Sequence, residues 1–133
     1  MIRKYTTTIL KYLHIITINM SESKLQISMV KWFRLKYPKH VLYAIPNGGN
    51  RSAITGAIMK AEGTMAGVAD LFLMQPNKDF HGLYIEVKTI KGKQSPSQKL
   101  FELKAIERGY GYIVVKTFDE FCVNIITYLQ NKK

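Results

Sequence analysis

The chain has 133 residues, 47% of them hydrophobic and 22% charged, proportions that suit one globular domain with its own core and exclude a disordered or fibrous chain. Twenty Lys and Arg against nine Asp and Glu leave a net charge of +11 and a pI near 9.8, which favours a polyanionic partner. The single cysteine, Cys122, excludes an internal disulfide and fits an intracellular protein, while His14, His40 and His81 are too scattered for a zinc site.

Residues 1–20 read as an N-terminal extension preceding a domain over 21–133. Arg3 and Lys4 followed by apolar residues resemble a secretion signal, but Lys11 and His14 interrupt the run and no small-residue cleavage site follows. The segment is also too short and too polar to span a bilayer, so no membrane association is expected. No chemistry is assigned to it.

A helix is predicted from about Ser21, a good N-cap, to Tyr37, where Pro38 stops it. Leu25, Met29, Val30, Phe33 and Tyr37 recur at helical spacing and should face the core. Glu22 and Gln26 fall at the edge of that stripe, away from the Lys31/Arg34 side. Residues 41–45 form a short strand ended by the "PNGGN" turn, and residues 51–63 a short helix stopped by Gly63.

Two strands, 70–75 and 82–90, are joined by "PNKDFH", a hairpin-length connection that makes them antiparallel neighbours. The next helix, 95–109, carries strong signals: Ser95 as N-cap, Pro96 at the first position, Gln98 completing a capping box and Gly109 as terminator. A strand over 111–117 and a helix over 118–133 close the chain, with Cys122 read as a small buried apolar residue. The order α-β-(α)-β-β-α-β-α, with a parallel crossover between strands 82–90 and 111–117, gives an α/β fold: a small mixed sheet flanked by helices.

"GLYIEVK", residues 82–88, is a strand whose alternate side chains Leu83, Ile85 and Val87 face a core, placing Glu86 and Lys88 together on the other side. "GVADLF" brings Asp70 to the start of the partner strand, so the two carboxylates meet at one end of the sheet. Two carboxylates, a backbone carbonyl and waters suit a hard cation such as Mg²⁺ or Mn²⁺, with Lys88 placed to hold a water or oppose developing phosphate charge. Gly67 would let the preceding loop pass close to a ligand. A salt bridge on a solvated sheet face explains the strand pair equally well. The crossover helix favours the metal site, because it covers sheet surface where idle charges are costly. Glu22, the only acid among ten Lys and Arg in residues 1–60, supplies a third carboxylate.

"GVAD" followed by "YIEVK" resembles the core of the PD-(D/E)xK nucleases, whose fold is restriction-endonuclease-like. "ESKLQ", "PNGGNR" and "SPSQ", in order around it, are similar to the VRR-NUC subgroup, the virus-type replication-repair nucleases, which also includes the nuclease domain of the Fanconi-associated nuclease. The similarity runs from about Ser21 to Tyr128. Ala69 departs from the proline often found before the aspartate, a position that shapes backbone and carries no chemistry.

The resemblance implies that Asp70, Glu86 and the Val87 carbonyl bind Mg²⁺ or Mn²⁺ and that Lys88 positions or activates the attacking water. Glu22 matches the glutamate of the first helix, which completes the catalytic site or binds a second metal, although interaction with the helix N-terminus would also explain it. Gln26, one turn along on the same face, is a candidate DNA contact. Gln98 matches the catalytic glutamine on the helix after the catalytic strand, although its capping box is an adequate structural explanation. Lys91, Lys93 and Lys99, in an acid-free stretch, and Asn47 and Arg51 in the turn after the first strand, are candidate DNA-backbone contacts that position a duplex without reading sequence. The expectation is a metal-dependent DNA endonuclease acting on branched DNA such as four-way junctions, in replication, recombination or repair. It would be homodimeric and located in the cytoplasm of a bacterium or phage host. The alternative is a non-catalytic or partner-dependent nucleic-acid-binding module with the same fold.

Overall fold

The structure, a computed structural model, describes residues 20–46 and 52–133. Eight elements follow one another: α1 (Glu22–Lys36), β1 (Leu42–Ala44), α2 (Ala53–Ala61), β2 (Leu71–Leu73), β3 (Leu83–Val87), α3 (Pro96–Glu107), β4 (Gly111–Val115) and α4 (Phe118–Gln130). Every expected element is present in the expected order, with strands shorter than the apolar runs suggested. Residues 1–19 and the 47–51 turn, including Asn47 and Arg51, lie outside the described residues.

Each helix begins where a side-chain oxygen can take an otherwise unpaired amide. Ser21, Ser52, Ser95 and Thr117 accept from the backbone N–H groups of Lys24, Thr55, Gln98 and Glu120. Gly63 and Gly109 adopt φ of +107° and +82° after α2 and α3, a region that glycine occupies without strain.

The sheet has the order β1-β2-β3-β4, with β1/β2 and β2/β3 antiparallel and β3/β4 parallel. One face packs Leu71, Leu73, Ile85, Val87 and Val115 against Leu25, Met29 and Phe33 of α1 and Phe121 and Ile125 of α4, all fully buried. Burying each such side chain contributes roughly 1.5–3 kcal/mol, so this single layer holds the domain together. Cys122 packs at its margin, half-buried rather than fully so, and burial pushes its thiol up to about 11.

The other face carries a cross-strand row, Tyr43, Phe72, Tyr84 and Tyr112, set side by side by the register. Phe101 of α3 closes over its β3/β4 half, with ring centroids 5.0 Å from Tyr84 and 6.3 Å from Tyr112. The β2–β3 connection is fastened to α4: buried Asn77 accepts from the amides of Asp79 and Phe80 and donates to the Tyr128 carbonyl. The hairpin is thereby held in one register, which fixes what meets at its open end.

Candidate active site

The last ladder pair of the hairpin is Leu71 with Ile85. One step further in that register, Asp70 stands opposite Glu86, and directly opposed residues share a sheet face. The backbone at Asp70 is held by its carbonyl, which accepts from Ile45 N–H at 2.8 Å. Its carboxylate turns back to accept from the Val87 amide, Val87 N to Asp70 Oδ2 being 2.7 Å. Lys88 continues beyond β3, its amide donating to the Val115 carbonyl at 3.0 Å. The hydrophobic register thus places both acids and the lysine at one end of the sheet.

Glu86 is 1% exposed, against the expectation that a structural ion pair would sit on a solvated face. Four polar groups crowd its carboxylate. Lys88 Nζ lies 3.4 Å from Oε1, Gln98 Nε2 donates to Oε1 at 2.8 Å, and Tyr112 OH donates to Oε2 at 3.4 Å. Asp70 is the fourth, and it repels. Burial and then the Asp70 charge push the Glu86 carboxyl up to about 7, against the opposing attraction of Lys88. Tyr112 is raised too, first by burial and then by the Glu86 charge. Behind it, Gln94 Nε2 bonds both Tyr112 OH (3.4 Å) and Glu102 Oε2 (3.0 Å), so the polar chain continues outward to α3.

The donor set fits a hard divalent cation. Two carboxylates opposed at the sheet end, Glu86 buried and Asp70 partly exposed, repel each other and are short of positive charge. Hard oxygen ligands match Mg²⁺ or Mn²⁺ better than softer metals. Among the described residues no group of three or more His, Cys, Asp or Glu gathers closely enough to hold an ion. Glu22, exposed on the first turn of α1, therefore shares the cleft with Asp70 and Glu86 without forming a compact triad with them.

That cleft, about 1260 Å³, takes in Glu22, Gln26, Asp70, Glu86, Lys88 and Gln98, six of the residues singled out from sequence. Its volume exceeds the roughly 300–1,000 Å³ of small-ligand pockets and suits part of a polymer. Val87 keeps its side chain in the core. Lys91, Lys93 and Lys99 are exposed and lie outside the cleft lining, beyond β3 and on the first turn of α3.

Two expectations are corrected. Lys31 and Arg34 were placed away from Glu22 and Gln26, yet all four line the same cleft, because residues 22, 26, 30 and 34 form one row four apart along α1 and residues 27, 31 and 35 form the adjacent row. Gly67, at φ +87°, lies against protein rather than a ligand: a Cβ there would run into the Ser97 carbonyl and stand 2.9 Å from Gln98 N. Sequence reasoning also missed Tyr112 and Gln94. The signal for Tyr112 was available in the β3/β4 pairing, which puts it on the face of Glu86.

No family model matches the chain, and no curated protein matches it. A solved structure described as "VRR_NUC domain protein" superimposes with a TM-score of 0.73 at 22% sequence identity, covering 86% of this chain and 93% of that one. The chain therefore has the fold of that domain over nearly its whole length, in agreement with the small mixed sheet expected from sequence.

Proposed function

We propose that this protein is a metal-dependent DNA endonuclease of the VRR-NUC type, hydrolysing phosphodiester bonds in branched DNA. The observation that carries the reading is the convergence of Asp70, buried Glu86 and Lys88 at one end of the sheet, open to a long cleft. An ion pair serving only stability gains little from a second carboxylate that repels the first. The fold shared with a VRR-NUC domain protein supports the same reading. Among the described residues no helix is long and apolar enough to cross a membrane.

Asp70 and Glu86, with the Val87 carbonyl, would hold Mg²⁺ or Mn²⁺, and the chemistry that ion supplies when bound is Lewis-acid polarisation of a phosphoryl oxygen. The other tasks fall to the protein. Lys88 sets an ammonium beside the carboxylates, where positive charge opposes the charge that develops on phosphate oxygens during attack. Gln98 and Tyr112 hold the two oxygens of Glu86, so the carboxylate does not reorganise as charge moves. Lys91, Lys93 and Lys99 would take backbone phosphates beyond the site. A homodimer would supply the two sites that paired incisions across a junction require.

The test is incubation of the purified protein with flap, fork, four-way junction and linear duplexes, with Mg²⁺ or Mn²⁺. Incision of branched substrates by the parent and none by Asp70→Ala is expected. Binding of every substrate without incision would support instead a non-catalytic or partner-dependent nucleic-acid-binding module.

A further inference from the structure

The cleft continues past the carboxylates along the whole of α1. Glu22, Gln26 and Arg34 stand in one row of its wall and Ile27, Lys31 and Leu35 in the next. From Glu22 to Arg34 the rise is about 18 Å at ~1.5 Å per residue. The wall changes character over that length. Glu22 stands at the acidic end. Lys31 and Arg34 stand toward the other end, interleaved with Ile27 and Leu35, which are 63% and 77% exposed.

Neither cation has an acidic partner, since the ion pairs among the described residues are Lys88–Glu86 and Arg108–Glu107. Single exposed aliphatic side chains are ordinary on a solvated face; what distinguishes Ile27 and Leu35 is that they flank the two unpaired cations within one concave wall. The helix dipole favours cations in the last turn and accounts for Arg34 and Lys36, but not for Lys31 in the turn before. Lys36 is directed elsewhere: its Nζ lies 5.3 Å from the centre of the Trp32 ring, and it is not part of the cleft.

An alternation of cations and apolar surface complements a sugar–phosphate chain, in which anionic groups alternate with apolar sugar faces. We infer that α1 is the second wall of a strand-binding groove, with Lys31 and Arg34 taking phosphates of the strand that passes the acidic end and Ile27 and Leu35 lying against its sugars. The inference rests on the nuclease reading for the identity of that strand. It adds a path, about five nucleotides long at ~3.4 Å of rise per nucleotide. It also places binding energy on α1 as well as on the lysines after β3.

The experiment reads binding alone. Affinity of a fluorescent branched DNA is measured by anisotropy in EDTA over a salt series, for the parent and for Lys31→Gln, Arg34→Gln and Lys36→Gln. All three positions are exposed, and melting curves verify that each variant is folded. Each cleft variant is expected to shallow the slope of log affinity against log salt by about 0.7–0.9, one phosphate contact. Lys36→Gln, of equal charge change on the same helix, should leave the slope near that of the parent. Unchanged slopes for Lys31→Gln and Arg34→Gln, or an equal change for Lys36→Gln, would overturn the groove. A parent that binds in this manner but does not incise with Mg²⁺ would overturn the nuclease reading and sustain the groove. A parent that incises, with slopes indifferent to Lys31 and Arg34, would do the reverse.

Discussion

Gln98 joins Glu86 through a 2.8 Å hydrogen bond from Nε2 to Oε1, while its own Oε1 accepts from the Ser95 amide, also at 2.8 Å. One side chain therefore closes the capping box of α3 and grips the buried carboxylate. The order of the α3 N-terminus and the orientation of Glu86 are thereby linked. Gln98→Ala removes both bonds, and a loss of about 1–2 kcal/mol in stability is expected from chemical denaturation. If orientation of Glu86 matters for metal binding, calorimetry should also show Mn²⁺ affinity falling about 10- to 100-fold, as when the outer hydrogen bonds of metal ligands are removed. Unchanged Mn²⁺ affinity in a destabilised Gln98→Ala protein would confine Gln98 to the cap.

The raised Glu86 carboxyl makes the metal-free protein sensitive to pH in an unusual direction. An acid whose folded pKa, about 7, exceeds its ordinary 4.5 holds its proton more tightly in the folded chain. Its contribution is fully present below about pH 4.5 and is lost as pH rises through about 7, at a cost on the order of 2–3 kcal/mol by pH 8. Urea midpoints in EDTA should fall over that window. Glu86→Gln should flatten the fall and be the more stable protein at pH 8. Saturating Mn²⁺ should likewise flatten it for the parent. A parent whose stability in EDTA rises from pH 5 to 8 would contradict the electrostatic account of this recess.

Gly67 ties the loop leading into Asp70 to the first turn of α3. Its positive φ and the nearness of Ser97 and Gln98 backbone leave no space for a methyl group. Gly67→Ala therefore combines left-handed strain with a clash against backbone, and a loss of about 2–4 kcal/mol is expected in thermal or chemical unfolding. Gly56→Ala is the comparison, because a Cβ there meets nothing within 4 Å. Equal stability of the two variants would show that the α3 turn yields easily.

Much of this arrangement is legible in the amino-acid sequence. Alternation in β3 assigned Glu86 and Lys88 to one side, and a hairpin-length connection brought Asp70 opposite. The capping box of α3 was legible because its residues are local. The rest depends on how distant surfaces meet. Periodicity in α1 separated core from surface, but only the angle at which the helix crosses the sheet decides that Lys31 and Arg34 border the same cleft as Glu22. Gly67 was recognised as a close approach and matched with the wrong neighbour, since the chain offers no local signal that α3 begins beside it. Strand ends ran long for a similar reason: apolar residues continue past the last residue that has a pairing partner.

Lys88 separates structural from chemical use of the site. Its ammonium lies 3.4 Å from Glu86 Oε1 and is 12% exposed, so the ion pair has real electrostatic weight in the apo protein. Were that its whole purpose, Lys88→Ala would lower stability, raise the Glu86 carboxyl further, and leave any incision activity intact. If Lys88 serves the reaction, Lys88→Ala should still bind Mn²⁺ in calorimetry, because both carboxylates remain. It should also still bind DNA, because the other cations around the cleft remain. The loss should then fall on the chemical step, on the order of 10²–10³ in rate, or roughly 3–4 kcal/mol, as for removal of one preorganised charge stabiliser. Single-turnover cleavage of a branched substrate at saturating protein isolates that step from binding and release. A folded, metal-binding Lys88→Ala protein that cuts at the parental single-turnover rate would make the lysine a counter-ion for Glu86 and no more.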